Sequence, residues 1–437
     1  MSNSNDSESE GLVRAIGVRA LALNIINMVV GGGIFVLPGL IAVQLGSAAI
    51  VAYLICSIAV ALVFLCFAEI GTRVTRSGGA YAYIEEAFGP FAGFVASILL
   101  WFGWNVLSNA AIAAAMVEAI AIAFPILNEP GPRAIFIISL LGFFTVVNIT
   151  GVRSGVRLFV INTIVKLVPL VFLLIVGVFT INREYLAVTE WPSLQNAGVG
   201  ALLLFFAFAG VESALSSSGE IESPRKTVPK GLLLGLISIL LLYVGLQTVA
   251  QGVLGAELAN NTEAPLAAAA GQVFGSWGGR MLLVAGIISI YATMSGDILN
   301  TPRVLFASSI DGNLPKLLSK VHPKYKTPYV SIIAFASLIC AFALTGTFKP
   351  LAIVASGSIL IVYLGVSLAT IRLRARDGRP GPAEFSIPGG YVVPVLSCLV
   401  IGWLLLHLTA DEAFGLTMLC GVSVALYAAR RIWLSRS

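Results

Sequence analysis

The chain has 437 residues, of which 58% are hydrophobic and only 11% are charged, and its net charge is +5. Soluble domains carry about 25% charged residues, so this chain lacks the polar residues that the surfaces of two or three soluble domains would need. The composition excludes a secreted disulfide scaffold, a nucleic-acid-binding module and a cytosolic enzyme. It supplies enough apolar residues for about twelve membrane-spanning helices of about 20 residues each.

Apolar runs separated by charged residues predict an all-α polytopic membrane protein with twelve transmembrane helices. Several of these runs are longer than a bilayer requires, which predicts tilted or interrupted helices. The predicted spans are residues 15–43, 47–72, 91–123, 134–150, 156–180, 196–220, 230–252, 278–308, 329–346, 350–370, 391–409 and 413–432.

The basic residues test this count through the positive-inside rule. With both termini placed in the cytoplasm, 21 of the 26 basic residues fall on the cytoplasmic side. Four fall outside, namely Arg133, Arg183, Arg280 and Lys349, and Lys166 lies within a span. This bias predicts a multi-pass protein that lipid surrounds in the cytoplasmic (inner) membrane, with both termini cytoplasmic.

The sequence offers few groups that could bind a metal or cofactor. The five cysteines lie inside apolar runs without metal-ligand spacing, so we interpret them as packing residues. The two histidines, His322 and His407, leave little room for haem or a histidine-based metal centre. We therefore expect no cofactor and no metal.

Two predicted spans are interrupted. The first contains three consecutive glycines at residues 31–33, followed by Pro38. Each glycine in the middle of a helix costs about 1 kcal/mol relative to alanine. The sixth span contains the segment 206–212 and then a polar run that ends at Glu220. At membrane depth such breaks are tolerated only where the backbone lines a cavity or is buried in protein.

The two interruptions lie at corresponding positions if five-helix repeats occupy about 15–180 and 196–370. Five is an odd number, so the second repeat would enter the membrane from the opposite side. Interrupted helices at matching positions of two inverted halves indicate the central binding site of a transporter. The predicted organisation is a cytoplasmic tail at 1–14, a core at 15–370, and helices 11 and 12 with a C-terminal tail at 371–437.

The glycine break predicts a binding site for an anion. Unwinding at Gly31, Gly32 and Gly33 would expose N–H groups at a half-helix N-terminus, where a carboxylate is favoured. Carbonyl groups at the other half-helix end could meet an ammonium group or a metal cation, so the pair suits a zwitterion. The alternative is a glycine-lined helix crossing. A dinucleotide-binding loop does not fit, because neither the GxGxxG pattern nor its strand is present.

The segment Val29-Val30-Gly31-Gly32-Gly33-Ile34-Phe35-Val36-Leu37-Pro38 resembles the signature of the amino acid–polyamine–organocation permeases. The resemblance covers about residues 15–370, and helices 11 and 12 fit it by number only. Further matches, in the order of that family, are Ala68-Glu69-Ile70 with Ser77–Tyr83, Phe88-Gly89-Pro90, Phe206–Ser213 with Glu220–Pro224, and Arg303 with Asp311–Pro315, Val321–Lys324 and Thr327-Pro328.

The resemblance implies a leucine-transporter-type fold, a 5+5 inverted repeat that carries amino acids or amines by alternating access. It implies that Gly31, Gly32 and Gly33, with the adjacent Ile34, bind the substrate, and that the aromatic ring of Phe206 closes over it. The small residues Ala207 and Ala209 suggest a roomy, mostly apolar subsite. The segment around Glu212 is similar to the arginine/agmatine antiporter, in which the glutamate takes part in the pH response.

Lys166 lies in the middle of the fifth span. A charged lysine there costs at least about 2.5 kcal/mol, so it should be paired, cavity-facing or deprotonated. The resemblance places it where sodium-coupled relatives bind a cation, and implies contacts with the carbonyl groups of Asn27 and Val30 and the hydroxyl of Thr293. The resemblance at this position therefore predicts sodium-independent transport. The alternative is a structural lysine that reaches the membrane surface.

Asp297 lies one helical turn after Thr293, so both residues project from one face of span 8. Its carboxylate could pair with Lys166, carry a proton, bind a cationic side chain or make a structural hydrogen bond. It does not indicate an intramembrane aspartyl protease, which would need a second membrane aspartate. We interpret Glu118 on helix 3 as a packing acid.

Polar residues in the middle of helices 3 and 10 are further candidates for contacts with the substrate. They are Asn105, Ser108 and Asn109 on helix 3 and Ser356 on helix 10. Hydrogen bonding between helices explains these residues at least as well.

Together these features predict secondary active transport of an amino acid, coupled to protons and independent of sodium. The alternative is an exchanger of cationic amino acids or polyamines, in which Asp297 and Glu212 bind cationic groups. A receptor, a channel and an enzyme are disfavoured, because the sequence shows no signalling domain, no ring of selectivity residues and no nucleophile–base pair. No nucleic-acid partner is expected.

Overall fold

The structure is a computed structural model that describes residues 16–75, 78–150, 155–310, 314–378, 381 and 384–434. The described residues form helices joined by short turns, and one isolated β-bridge pairs Ile16 with Ile221. The predicted tail at 1–14 lies outside this part of the chain. Outside it too are the motif residues Ser77, Asp311, Gly312 and Asn313 and the basic residues Arg14, Arg76, Arg153, Arg379 and Arg436.

The helices follow one another with few long connections. A π-helical turn at Leu99–Val106 joins α5 to α6 in one continuous helix. The α-helices are α1 Val18–Val29, α2 Gly33–Leu45, α3 Ala49–Arg73, α4 Ala80–Phe88, α5 Pro90–Ile98, α6 Leu107–Ala121, α7 Pro130–Thr150, α8 Gly155–Gly177, α9 Leu194–Phe208, α10 Val211–Ala214, α11 Pro224–Leu254, α12 Pro265–Phe274, α13 Ser276–Ile310, α14 Tyr329–Thr345, α15 Phe348–Asp377, α16 Val392–Leu405 and α17 Ala410–Leu434. The 3₁₀ turns are Gly46–Ala48, Pro125–Asn128, Val178–Thr180, Arg183–Leu186, Leu215–Glu220, Gly255–Asn260 and Lys316–Ser319.

The chain is an all-helical, multi-pass membrane protein. Nine helical stretches within the described ranges are long and apolar enough to cross a bilayer, and α1, α12, α14 and α16 are shorter apolar helices. One of the nine stretches, Gly33–Arg73, contains both α2 and α3. The all-α membrane class predicted from the composition is confirmed, whereas the number twelve stays a prediction.

Both predicted interruptions are present. The first span consists of α1 and α2, which are separated by the non-helical segment Val30–Gly32. The sixth span ends its first half at Phe208 and resumes at Val211. Between them Gly210 has φ +135°, a conformation that side chains disfavour. The sequence located both breaks because glycine both weakens a helix and permits the backbone conformation that interrupts it.

The predicted boundaries differ from the structure mainly at the charged ends of helices. Helix α11 begins before residue 230 and α15 continues beyond residue 370, each by about two turns. Arginine and lysine end an apolar run but are good helix formers, so a helix can continue after it leaves the apolar region. The short helices α4 and α12 lie outside the predicted spans.

Small residues bring α11 close to α1, which is the first half of the broken first span. A methyl group at Gly231 would lie 2.7 Å from the Leu21 side chain, and one at Gly235 would lie 3.0 Å from that of Ile25. Such spacing of small residues lets helix backbones approach closely in a membrane, where packing replaces the hydrophobic effect as the driving force. This contact holds α1 against α11, and α1 ends at the break beyond it.

A buried ion pair joins α3 to the C-terminal part of α15. The carboxylate of Glu69, which is fully buried, accepts hydrogen bonds from the guanidinium of Arg374 and from the backbone N–H of Ile387. Arg73, one turn along α3, donates to the same carboxylate at 3.3 Å. Burial of these charges is tolerated because each carboxylate oxygen has two donors.

Candidate functional site

A cavity of about 450 Å³ lies where the two helix breaks meet α6, α8 and α13. Its volume falls within the range of about 300–1,000 Å³ that small-molecule sites occupy. Its lining combines aromatic and small residues with several polar side chains. The lining residues used below are Asn27, Gly31, Gly32, Gly33, Trp104, Asn105, Ser108, Asn148, Lys166, Phe206, Ala207, Ala209, Gly210, Tyr291, Thr293, Asp297 and Asn300.

Lys166 connects α8 to the break after α1. Its ammonium group donates hydrogen bonds to the carbonyl oxygens of Asn27 at 2.6 Å and Val30 at 2.7 Å, and the side chain is only 2% exposed. These carbonyl groups lie at the C-terminal end of α1, where the helix dipole places partial negative charge. The lysine therefore supplies a cation at the point where unwound backbone in other transporters coordinates a metal ion.

The third contact expected for Lys166 is not among the hydrogen bonds of the described residues. The Thr293 hydroxyl instead donates to the carbonyl oxygen of Ser289 on its own helix, at 3.0 Å. Thr293 nevertheless lies beside the break, because a methyl group added to Gly31 would be 3.6 Å from its oxygen. Both Lys166 and Thr293 line the cavity.

The three glycines of the break differ in their surroundings. A methyl group at Gly32 would lie 2.7 Å from the Ile290 side chain, and one at Gly33 would lie 3.2 Å from the Phe206 ring. Only Gly31 has room for a methyl group at ordinary contact distance. Gly33 begins α2, and the first N–H groups of a helix have no acceptor within it. The N–H of Gly31 donates to the Val29 carbonyl oxygen at 2.8 Å, so the donors that the break offers to the cavity are those of Gly32 and Gly33, and packing requires glycine at Gly32.

The hydroxyl of Tyr243 bridges the two broken helices. It lies 2.9 Å from the carbonyl oxygen of Val29, at the end of α1, and 2.9 Å from that of Ala207, near the end of α9. Tyr243 is buried on α11, and its ring packs edge-on against Phe208. One hydroxyl proton shared by two carbonyl groups keeps both backbone acceptors in place without filling the cavity.

Phe206 forms one wall of the cavity as part of an aromatic cluster. Its ring centroid lies 5.5 Å from that of Trp104 on the π-helical turn and 5.5 Å from that of Phe348 at the start of α15. All three side chains are buried. Tilted and edge-on contacts at these distances are favourable. The cluster forms a packed aromatic wall on this side of the cavity.

Glu212 follows the second break and is buried beside the cavity without lining it. Its carboxylate accepts hydrogen bonds from the Tyr363 hydroxyl of α15, from the Gly210 N–H at 3.0 Å and from the Ser213 hydroxyl at 3.1 Å. A methyl group at Gly210 would lie 2.9 Å from the Met28 carbonyl oxygen. The carboxylate therefore holds the second break at its closest approach to the first.

Asp297 lines the cavity from α13 and pairs with a buried amide. The Asn109 side chain donates to its carboxylate at 2.8 Å and also to the carbonyl oxygen of Asn105 at 2.8 Å. Within the described ranges Asp297 forms no ion pair with Lys166. Pairing with Lys166, which is one of the four alternatives for Asp297, is therefore absent from this conformation. The hydrogen bond to Asn109 leaves the second carboxylate oxygen available to a ligand.

The remaining candidates separate into those at the cavity and those away from it. Asn105 and Ser108 line it, whereas Ile34 and Ser356 do not, and Ser356 is a buried hydroxyl without a hydrogen bond among the described residues. Glu118 forms a partly exposed ion pair with Arg133 at 3.3 Å, in keeping with its interpretation as a satisfied acid.

Three aromatic residues at the site were missed by the sequence analysis. Tyr243 and Tyr363 hold the backbone breaks, and Trp104 packs on Phe206. A signal was present for the two tyrosines, since a hydroxyl group within a transmembrane helix can form a hydrogen bond to a neighbouring helix. The sequence did not show which partner, because the breaks lie far away along the chain.

Comparison with known proteins identifies the class to which this architecture belongs. A family model described as amino acid permease matches residues 16–418. A serine/threonine exchanger of Bacillus subtilis, SteT, is 30% identical over 95% of this chain and 96% of its own length. The branched-chain amino acid permease BcaP of the same species is 28% identical, covering 92% and 90%. A cadaverine/lysine antiporter of Escherichia coli is 28% identical over 70% of each chain.

The chain therefore belongs to the amino acid permease family of the amino acid–polyamine–organocation superfamily, which confirms the resemblance drawn from the sequence motifs. It is a transporter of amino acids and not an enzyme. The cavity at the two breaks is its candidate substrate site.

Proposed function

We propose that this protein carries neutral amino acids across the cytoplasmic membrane by alternating access, coupled to protons and independent of sodium. The observation that carries the proposal is the ammonium group of Lys166, which lies on the carbonyl oxygens of Asn27 and Val30. A side-chain cation at this position serves the structural role of a bound metal ion. Sodium would find its acceptors already occupied and would be repelled by the lysine.

The substrate carboxylate is assigned to the N–H groups of Gly32 and Gly33 at the first break, because the N–H of Gly31 already donates to the Val29 carbonyl oxygen at 2.8 Å and Ile34 does not line the cavity. The positive end of the α2 dipole favours an anion there. Phe206, with Ala207 and Ala209 after it, provides an apolar wall for the substrate side chain. Because the space there is mostly apolar, it suits a neutral side chain.

The proton is assigned to the titratable groups near the breaks. Asp297 lines the cavity, and Glu212 links the second break to Tyr363 of α15. Protonation would remove a negative charge that the Asn109 amide now stabilises at Asp297 and that three donors stabilise at Glu212. It would therefore change how firmly the broken helices are held, which links proton binding to the conformational change.

The predicted topology indicates which side of the membrane the cavity faces. We propose twelve spans, with the first ten in two inverted repeats of five and both termini in the cytoplasm. The aromatic cluster includes Phe348, next to Lys349 on the predicted outer side, whereas the lining residues Asn148 and Asn300 lie near the predicted cytoplasmic ends of α7 and α13. This arrangement supports an inward-facing state, closed outside by the aromatic rings.

Uptake into proteoliposomes tests this function. With purified protein, uptake of a neutral amino acid should rise when the outside is more acidic than the lumen, and should collapse with a protonophore. Replacing external sodium by choline should leave the rate unchanged. Strong stimulation by sodium would contradict the role of Lys166, and uptake that ignores the pH gradient would contradict proton coupling.

The second candidate is an exchanger of cationic amino acids or polyamines. It is favoured by the carboxylate of Asp297 in the cavity, where a cationic side chain could pair with the oxygen that Asn109 leaves free. One similar protein is a cadaverine/lysine antiporter, and another is a serine/threonine exchanger. Uptake that appears only after the vesicles are preloaded with substrate would select exchange.

A further inference from the structure

A second concave site lies on the outer surface of the helix bundle, between α3 and α11. It has a volume of about 470 Å³ and shares no residue with the cavity at the helix breaks. We name it the α3–α11 groove, and its lining residues are Phe64, Leu65, Ala68, Arg225, Lys226, Pro229, Lys230, Leu232, Leu233, Leu236, Glu384 and Phe385. None of these residues has a role in the transport mechanism described above.

The walls of the groove are apolar. Phe64 and Ala68 of α3 and Leu232 and Leu236 of α11 are buried along it. Leu233 is 55% exposed at the edge. In a bilayer these exposed carbons meet acyl chains. A concave strip of this kind between two packed helices can hold one chain in a fixed position.

The rim of the groove is basic. Arg225, Lys226 and Lys230 are all exposed there, facing a single acid, Glu384. Arg225 forms an ion pair with Glu384 at 3.3 Å. Within the described part of the chain, Lys226 and Lys230 have no ion pair with an acid. Two uncompensated cations therefore remain at one end of an apolar groove.

The order of these residues along α11 matches the order of groups in a phospholipid. Lys226 and Lys230 lie one turn apart on one side of the helix, and Leu233 follows one turn later. With a rise of about 1.5 Å per residue, Leu236 lies about 9 Å deeper than Lys230. In the predicted topology the lysines are at the cytoplasmic surface and the leucines are inside the bilayer.

We propose that the α3–α11 groove is a binding site for an anionic phospholipid of the cytoplasmic leaflet. Lys226 and Lys230 bind the phosphate and its anionic headgroup, and the strip from Phe64 to Leu236 holds an acyl chain. Basic pockets between transmembrane helices on the cytoplasmic side recognise such headgroups, and each lysine near the surface adds to the attraction. The zwitterionic headgroups of other phospholipids lack the net charge that two free lysines favour.

Lipid titrations of the purified full-length protein in a neutral detergent test the site. Binding is followed by thermal shift and by native mass spectrometry, with phosphatidylglycerol, phosphatidylcholine and free glycerol 3-phosphate as separate probes. Phosphatidylglycerol should raise the melting temperature and stay bound to the wild type, and the other two should do neither. The double variant K226Q/K230Q should bind phosphatidylglycerol about tenfold to thirtyfold more weakly.

Two matched variants complete the test. K226R/K230R keeps both charges and should keep wild-type affinity, while K320Q/K324Q removes two exposed lysines from the loop between α13 and α14 and should change nothing. Equal binding of phosphatidylglycerol by wild type and K226Q/K230Q would overturn the proposal. Equal binding of phosphatidylcholine would also overturn it, because it would indicate an apolar groove that does not select the headgroup. Tight binding of free glycerol 3-phosphate would overturn it too, because it would indicate an anion site that needs no lipid.

Discussion

The ammonium group of Lys166 on α8 lies 2.7 Å from the carbonyl oxygen of Val30, the first residue after α1 ends. This contact joins two helices that are far apart along the chain, and it does so at unwound backbone. Because the carbonyl group belongs to the break itself, any change in the break must move or release the lysine. The contact therefore places a charged group at the break between the two halves of the first span.

Replacing Lys166 by alanine should abolish proton-coupled uptake while leaving a folded protein. The change removes the cation from the end of α1 and leaves two buried carbonyl groups without their donor. We expect uptake to fall at least about tenfold and the free energy of unfolding to fall by about 1–3 kcal/mol. Uptake in proteoliposomes and the melting temperature in detergent measure the two effects separately.

Lys349 provides the matched control, because it is an exposed lysine at the start of α15 and away from the cavity. Lys349→Ala should keep wild-type uptake. Full uptake by Lys166→Ala, with a wild-type response to a pH gradient, would contradict the coupling role and leave Lys166 as a purely structural residue.

The glycines of the first break should separate into a packing residue and a binding residue. Gly32→Ala places a methyl group 2.7 Å from the Ile290 side chain, so it should destabilise the protein by about 1–3 kcal/mol. Gly31→Ala has space, so it should fold normally and weaken substrate binding about tenfold, because the methyl group keeps the ligand from the backbone. Melting temperatures and ligand-induced thermal shifts distinguish the two variants.

The double variant Gly32→Ala with Ile290→Ala is the control for the first of these effects. Removing the Ile290 side chain should recover part of the melting temperature if the clash is the cause. Should Gly31→Ala retain wild-type affinity, the substrate does not approach the backbone at Gly31.

The sequence could locate the helix breaks because the signal for each is local. Gly31, Gly32 and Gly33 are adjacent in the chain, and Gly210 lies just before Glu212 and the polar run that ends at Glu220. The fold class followed from composition in the same way. Lys166 was equally visible, since a charge in the middle of an apolar run requires an explanation wherever its partner lies.

The contacts between residues far apart along the chain could not be read from the sequence without the family resemblance. Tyr243 reaches Ala207 and Val29, and Arg374 reaches Glu69 across about 300 positions of the chain. Such pairings depend on which helix faces pack together. In a membrane both faces of a helix are apolar, so the periodicity that identifies the buried face of a soluble helix is weak. The helices α4 and α12 were missed because they are too short to span a bilayer.

Tyr243→Phe should loosen the connection between the two breaks. The variant keeps the aromatic contact with Phe208 and removes only the hydroxyl shared by Val29 and Ala207. We expect a loss of about 0.5–1.5 kcal/mol in stability and weaker substrate binding. Tyr427→Phe on α17 is the control, because its ring packs against Phe91 and its hydroxyl makes no hydrogen bond among the described residues. Equal melting temperatures and affinities for the two variants would show that the bridge is not needed.

Removing only one of the two charges in the buried pair of Glu69 and Arg374 should lower the free energy of unfolding strongly. Glu69→Gln leaves the guanidinium buried without its counter-charge, so a loss of about 3–5 kcal/mol is expected. Replacing both residues by methionine should recover part of this loss, since neither of the two charges then remains buried, while Arg73 and the Ile387 N–H still lose their acceptor. The exposed pair of Glu86 and Arg376 gives the comparison, because Glu86→Gln should cost less than about 1 kcal/mol. A similar loss in both single variants, measured as melting temperature, would contradict the assigned burial.

Asp297→Asn should separate the two transport mechanisms. The amide keeps the shape of the side chain near Asn109 but can neither release a proton nor attract a cation. If Asp297 carries the coupled proton, the variant still binds neutral amino acids, but a pH gradient no longer drives uptake. If Asp297 binds cationic substrates, lysine and cadaverine lose their competition with the substrate, and the pH response is retained. Glu118→Gln, which removes a carboxylate outside the cavity, should change neither property. Wild-type behaviour of Asp297→Asn in both assays would exclude both roles and leave only its hydrogen bond to Asn109.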